Sequence, residues 1–306
     1  MYISNRCSQR TPIFQVRPGQ ENIMIETANN GAINSTSAPE VKDLPDLTLP
    51  YELSAAQKGE FKEKGHVLLD EVCTSYEIAK FRPVLVSAAE KFNSETRPLE
   101  ERDTYGKAFL QITNLWRRDP AVARFTLGKR FAKIAADLMG VDRVRIYHDQ
   151  ALFKEPGGGP TPWHQDQYYW PLDGPQTVTF WMPLVDIHAS MTFGSGSNKY
   201  GYVLEKPISD ESDQLLEDFI KDNDIPLTSY GAMKAGDATF HAGWTLHSAP
   251  NNPTPLMREV MTIIYFADGM RVADPGSNPS RADDLNAWLP GLKPGDLASS
   301  DLNPVV

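Results

Sequence analysis

The hydrophobic period of this chain changes once, near Gly140, and that change restricts the fold more than any other feature. Ahead of it, apolar residues recur at helical spacing. Ser54 is placed to cap a short helix that stops near Gly65, and His66-Val67-Leu68-Leu69 follows as a brief strand. Thr74 or Ser75 opens a longer amphipathic helix reaching Phe92, which Pro83 is expected to delay or kink. Asp119-Pro120 joins a cap to a first-turn proline, and Val122, Phe125, Phe131, Ile134 and Leu138 continue helically to a stop at Gly140. Beyond Gly140 the run from Val144 to Phe153 alternates, which puts Ile146, His148, Gln150 and Leu152 on one face. The run 177–182 places Thr177, Thr179 and Trp181 together in the same way. Further strands are expected around 238–240 and over 258–266, with a helix over 210–221 interrupting them. The tail from Asp274 is rich in proline and glycine, with one short helical candidate at 283–288. Helices first and then strands, with no βαβ alternation, predict a mainly β fold with flanking helices, a sandwich or a barrel.

Residues 1–45 mix Asn, Ser, Thr, Gln and Pro without a sustained period and read as a flexible N-terminal extension. Arg6, Arg10 and Arg17 precede its first acidic residue, Glu21, a bias shared by transit peptides, but the amphipathic pattern is poor. Residues 46–306 are then expected to form one catalytic domain. A formal net charge of -10 without a basic run argues against nucleic acid or an anionic membrane as a partner. Cys7 and Cys73 are the only cysteines, too few for a disulfide framework or a cysteine metal site. With no apolar run of membrane-spanning length, the expectation is a soluble, cytoplasmic protein, monomer or homodimer, with a small molecule as its partner.

Trp163-His164-Gln165-Asp166 follows the turn Pro156-Gly157-Gly158-Gly159-Pro160, and His247 lies far downstream, ahead of Arg258. Two imidazoles and one carboxylate can occupy one face of an octahedral ion and leave the other open, the ligand set of non-haem iron(II) oxygenases. The His-x-Asp triplet has little specificity by itself, and His66, His148, His188 and His241 compete for a ligand role. His241 is near His247, but the intervening Gly243 reads as loop, so a shared inward face is not assured. Arg258, just ahead of Val260-Met261-Thr262-Ile263-Ile264-Tyr265-Phe266, is an unusual site for an inward arginine, and a bound carboxylate would answer its charge.

The ordered set removes most of that ambiguity. Pro162-Trp163-His164-Gln165-Asp166-Gln167-Tyr168, then Val178-Thr179-Phe180-Trp181-Met182-Pro183-Leu184, then Gly236-Asp237 before His247-Ser248 and Arg258, resembles the phytanoyl-CoA dioxygenase family of Fe(II)/2-oxoglutarate oxygenases over about 66–266. The resemblance implies a double-stranded β-helix, a cupin-like jelly-roll barrel. It gives Fe(II) to His164, Asp166 and His247 as the catalytic metal ligands, and the distal carboxylate of 2-oxoglutarate to Arg258. Trp181, Thr179 and Gln150 are expected in the co-substrate pocket. O2 is the oxidant, with ascorbate as an accessory reductant, and succinate and CO2 are the co-products. The retained Asp166 disfavours halogenation, because related halogenases carry a small residue there. Hydroxylation of an unactivated C–H bond is the default, with desaturation, epimerisation or ring formation open on the same centre.

Three positions depart from the family pattern. Ala249 stands where a small hydroxyl residue is common, Asn198 follows Gly196-Ser197 where a histidine is usual, and the preceding loop lacks Asn-Gly. Gln167, Tyr168 and Trp170 are candidates for the substrate pocket, with Tyr169 between them, and apolar walls there suit a lipid-like or secondary-metabolite substrate. Lys154, Lys199 and Lys206 are too scattered to form a CoA-phosphate patch. A cupin-like isomerase or hydrolase with another metal, and a non-catalytic binding module, remain alternatives at this point.

Overall fold

Local signals start and stop the first helices in the computed structural model, which describes residues 40–306. The chain enters it through a 3-10 turn at Val41–Asp43, and Leu44 and Leu47 are already in the core. The flexible extension expected over residues 1–45 lies outside the described residues as far as residue 39, and its remainder is the segment that carries this turn and Leu44. Helix α1 (Ala55–Lys64) carries a reciprocal Ser54–Gln57 capping box and ends at Gly65, whose left-handed φ of 79° closes it. Strand β1 (His66–Leu69) and helix α2 (Ser75–Phe92) follow. Pro83 neither delays nor ends α2, which begins at Ser75 under a Thr74–Glu77 capping box.

Helix α3 (Thr104–Ala108) and strand β2 (Leu110–Thr113) precede the first departure from expectation. The single helix expected to run to Gly140 is two, α4 (Pro120–Thr126) and α5 (Lys129–Met139), broken at Leu127-Gly128. Tertiary packing overrides the shared apolar period here, because the break lets Phe125 and Phe131 both reach Phe180 on the sheet beneath, at ring distances of 6.4 and 4.7 Å. A Cβ on Gly128 would stand 3.0 Å from the Phe125 carbonyl oxygen and 3.1 Å from Leu47 Cβ, so the corner is tight.

Strands β3 (Val144–Phe153), β4 (Thr161–His164), β5 (Thr177–Pro183) and β6 (Thr192–Gly194) come next, then helix α6 (Asp210–Asp222). Strands β7 (Leu227–Ser229), β8 (Ala238–Ala242), β9 (His247–Ala249) and β10 (Val260–Ala267) complete the sheets, and helix α7 (Pro279–Trp288) closes the fold. Among the described residues they form two antiparallel sheets, β1-β8-β5-β10-β3-β2 and β4-β9-β6-β7. This is the jelly-roll arrangement, with helices against the outer face of the larger sheet. Val178, Phe180 and Met182 of β5, and Met261, Ile263 and Tyr265 of β10, point to that helical side. Their alternates Thr179, Trp181, Thr262 and Ile264 point into a cavity between the sheets.

The face expected for β3 holds only in part. His148, Gln150 and Leu152 line the cavity, whereas Ile146 is in the helical-side core. The cause is a β-bulge: Ile264 pairs with His148 but Tyr265 pairs with Ile146, so Tyr147 is the extra residue and parity inverts there. Tyr147 is displaced inward and joins Trp170, Phe266 and Leu289 in a second core that seats α7.

A buried ion pair fastens the outer helices to the entering chain. Arg130 of α5 meets both carboxylate oxygens of Glu77 at 2.8 and 2.9 Å and donates to the Leu49 and Val72 carbonyls. Its removal strands a buried carboxylate and the buried Val72 carbonyl, so Arg130→Met is expected to cost about 3–5 kcal/mol in urea unfolding. A loss under about 1 kcal/mol would mean that water already satisfies these groups. No helix among the described residues is long and apolar enough to cross a membrane.

Candidate active site

Strand register brings the two distant histidines together. In the β4–β9 pair His164 is the direct antiparallel partner of His247, and their ring centroids are 4.1 Å apart. Asp166 follows two residues later, in a 3-10 turn at Asp166–Tyr168, and its Oδ1 lies 3.5 Å from His164 Nε2 and 3.7 Å from His247 Nε2. The three ligand atoms are all within 4.8 Å of one another. Ligand bonds of about 2.1 Å at right angles would set neighbouring donors about 3 Å apart, so a bound ion would draw these three groups closer together.

The hydrogen bonds around the triad select the form a cation needs. His164 Nδ1 lies 2.7 Å from the Pro162 carbonyl oxygen and His247 Nδ1 lies 3.0 Å from that of Thr245. An N–H at each Nδ1 leaves both Nε2 lone pairs aimed at the common point. Burial opposes charge on Asp166, but the imidazoles of His247, His164 and His241 outweigh it and hold the carboxyl well below its usual range. Burial, reinforced by His164, holds His247 well below its ordinary value. A charged carboxylate beside a neutral His247 is a protonation state that binds a divalent metal.

Asp166 is also held from behind. Thr179 donates its hydroxyl to Asp166 Oδ2 at 2.7 Å, and His241 Nε2 lies 3.1 Å from the same oxygen. With Oδ2 occupied, Oδ1 alone is presented, which suits one metal bond from this residue. Thr179 thus lines the cavity expected for it and also supports the Asp166 carboxylate. Gly243, between His241 and His247, hides this role of His241 in the sequence. The alternation of β8 extended by two residues would have found it, since Thr239 pairs with Trp181 and His241 with Thr179 on the inner face. Gly243 serves close packing: a Cβ there would stand 2.3 Å from Thr177 Oγ1 and 2.9 Å from Gln167 Cβ. Its carbonyl accepts from the Gln167 amide at 2.9 Å, which pins the turn that carries Asp166.

The other competing histidines separate by environment. His66 spends both ring nitrogens, on Tyr230 and Ser195, and His188 is exposed. His148 lines the cavity as a neutral ring, because burial lowers its pKa to about 3.

The cavity measures about 570 Å³. At one end Arg258 lies with its Nε enclosed and unpartnered, and its guanidinium carbon is 5.9 Å from the Trp181 ring. Burial alone lowers its pKa to about 10, with no carboxylate to offset it. Lys154, fully buried beside it, donates to the Gly159 carbonyl and to Thr161, and burial followed by the charge of Arg258 brings its pKa down to about 7. An enclosed guanidinium without an anion fits a ligand that brings a carboxylate. Ser248 and Ala249 line the same cavity, and Gln150 does too, its Oε1 taken by the Gln111 amide.

Of the expected substrate-pocket residues, Trp170 faces the cavity and Gln167 and Tyr168 do not. Gln167 is spent on Thr177 and on the Gly174 carbonyl, and Tyr168 stacks on Tyr202 with ring centroids 6.0 Å apart. The 3-10 turn is responsible: its rotation per residue sends Tyr169 and Trp170 inward instead of 167 and 168. The wall also includes Tyr105 and Phe109, beside β2, and Asp284 and Trp288 of α7, a helix that the sequence placed in a peripheral tail.

Comparison with known proteins gives one family. The family model for phytanoyl-CoA dioxygenase matches residues 61–260. No curated protein matches significantly. Among solved structures, the non-haem α-ketoglutarate-dependent carbocyclase SnoK from nogalamycin biosynthesis is 24% identical with a TM-score of 0.68, over 84% of this chain and 99% of that one. The epimerase SnoN, solved with Fe3+, α-ketoglutarate and nogalamycin RO, is 23% identical with a TM-score of 0.65, over 82% and 97%. EctD from S. alaskensis, solved with 2-oxoglutarate and 5-hydroxyectoine, is 19% identical with a TM-score of 0.56, over 73% and 79%. At these identities the likeness is one of fold.

Proposed function

Because the chain belongs to the phytanoyl-CoA dioxygenase family of non-haem iron, 2-oxoglutarate-dependent oxygenases, we propose that His164, Asp166 and His247 hold its Fe(II) and that Arg258 anchors 2-oxoglutarate. The reaction is oxidation, by default hydroxylation, of an unactivated C–H bond in a small, apolar-bodied molecule such as a secondary metabolite. One observation carries this reading: three converging donors open onto a cavity whose far end is an enclosed arginine without a counter-charge. When bound, Fe(II) supplies the site at which O2 is reduced as 2-oxoglutarate is decarboxylated to succinate. The chain's own residues bind and orient. Arg258 takes a carboxylate in forked geometry, with the Trp181 ring beside its guanidinium limiting the approach. Thr179 and His241 fix Asp166, and the aromatic wall excludes water from the place where substrate lies. The test is succinate formation from 2-oxoglutarate with uptake of O2, both dependent on added Fe(II). Turnover indifferent to 2-oxoglutarate would instead favour a metal isomerase or hydrolase on this fold.

A further inference from the structure

The cavity differs in charge at its two ends. Around Arg258 it is cationic. On the side of α7 the wall is aromatic, with Tyr105, Tyr169, Trp170 and Trp288, and a single charged side chain stands among them, Asp284. Apart from Asp166 in the metal triad and Arg258, no other carboxylate, lysine or arginine lines the cavity among the described residues.

Asp284 is half-buried and unpaired. Tyr147 donates its hydroxyl to Oδ2 at 3.0 Å, and no lysine, arginine or histidine lies within ion-pair distance among the described residues. Burial raises its carboxyl to about 7, against the opposing pull of Tyr147 and Trp288, and Asp283 adds to the rise. Such a carboxyl takes up a proton near neutrality when alone, and a ligand cation beside it would favour its charged form.

The helix that carries Asp284 is built into the site. Arg281 donates to the backbone carbonyls of Tyr168 and Gln167, at 2.9 and 3.4 Å, in the turn that bears Asp166. Its guanidinium lies 5.0 Å from the Tyr202 ring, and Trp288 packs against His148 with ring centroids 5.0 Å apart. Asp284 is thus held in register with the metal triad across one continuous cavity.

We propose that Asp284 is a specificity-determining residue and that the substrate carries a protonated amine, received by the Asp284 carboxylate among the rings of Tyr105, Tyr169 and Trp288. This rests on the reading of the opposite end as the co-substrate site. A protonated amine gains both the charge-assisted hydrogen bond and the faces of the surrounding rings. A free acid or an acyl-CoA phosphate gains neither and meets a like charge, so the substrate departs from the one in the family's name.

Three probes of similar size and different charge test this: 2-phenylethylamine, 2-phenylethanol and 3-phenylpropionate, titrated calorimetrically into the full chain with Fe(II) and 2-oxoglutarate, without oxygen. The amine is expected to bind about 10-fold or more tighter than the alcohol, with the acid weakest. Asp284→Asn is expected to weaken the amine by about 10- to 100-fold and to move the alcohol by less than about 2-fold, while Asp284→Glu retains part of the preference. Equal or inverted affinities, binding by none of the probes at about 10 mM, or a preference that survives Asp284→Asn would each overturn the proposal. If Asp284→Asn does not fold, the ranking in the unmodified protein and in Asp284→Glu decides. The amine preference is also expected to persist in His247→Ala, which loses iron-dependent turnover, whereas an intact preference in an unmodified protein that shows no iron-dependent turnover would count against the metal assignment alone.

Discussion

Asp166→Ala is expected to lower 2-oxoglutarate turnover by about 1,000-fold or more and to release the bound iron. Oδ1 is the one carboxylate oxygen that faces both His164 Nε2 and His247 Nε2, so its loss leaves two imidazoles and no negative charge for a divalent ion. The same change strips the acceptor from the Thr179 hydroxyl and from His241, which then have no fixed orientation beside the metal. Loss of the groups that orient a metal ligand alone lowers metal affinity by about 10- to 100-fold, so the combined effect is large. Iron content of the purified variant, measured alongside succinate formation, separates lost binding from lost chemistry. Turnover within about 10-fold of the unmodified protein would remove Asp166 from the ligand set.

Arg258→Met is expected to raise the KM for 2-oxoglutarate by about 100-fold or more while iron content stays unchanged. The guanidinium is positioned by the strand it precedes, and it reaches the cavity with Nε enclosed and no protein acceptor. That arrangement has a cost in the free protein, where burial lowers the pKa to about 10. A carboxylate offsets the cost, so 2-oxoglutarate is expected to raise the melting temperature of the unmodified protein and leave that of Arg258→Met nearly unchanged. Methionine keeps an unbranched apolar stem and removes the guanidinium, so the difference reads the charged group. An unchanged KM would move the distal carboxylate elsewhere.

The parts of this fold legible in the sequence are those set by neighbouring residues. Ser54 with Gln57, and Gly65 behind them, bound α1 because a capping box and a left-handed glycine act within a few residues. The inward parity of Thr179 and Trp181 was legible for the same reason, since β5 alternates without a bulge. Ile146 was not, because the bulge that inverts β3 is set by its pairing with β10, a strand distant in the chain. The break at Gly128 was hidden by an apolar period that both helices share, and only the packing of Phe131 on Phe180 requires it.

The site divides in the same way. His164, Asp166, His247, Trp181 and Arg258 stood out as an ordered set, and the register of β4 with β9 brings the two histidines face to face. His241 was obscured by a glycine that serves close packing, not by any weakness in the alternation of its strand. Gln167 and Tyr168 were assigned from adjacency to the metal motif, which a 3-10 turn does not preserve. Asp284 had no local signature, because its role depends on where the tail folds back.

The central claim is that one centre couples 2-oxoglutarate to O2, and it is tested most directly by the balance of the uncoupled reaction. The unmodified protein with Fe(II) is expected to form one succinate per O2 consumed, with neither change seen when Fe(II) is withheld or in His247→Ala. Succinate formation that persists in His247→Ala, or iron-loaded protein that consumes no 2-oxoglutarate, would contradict it.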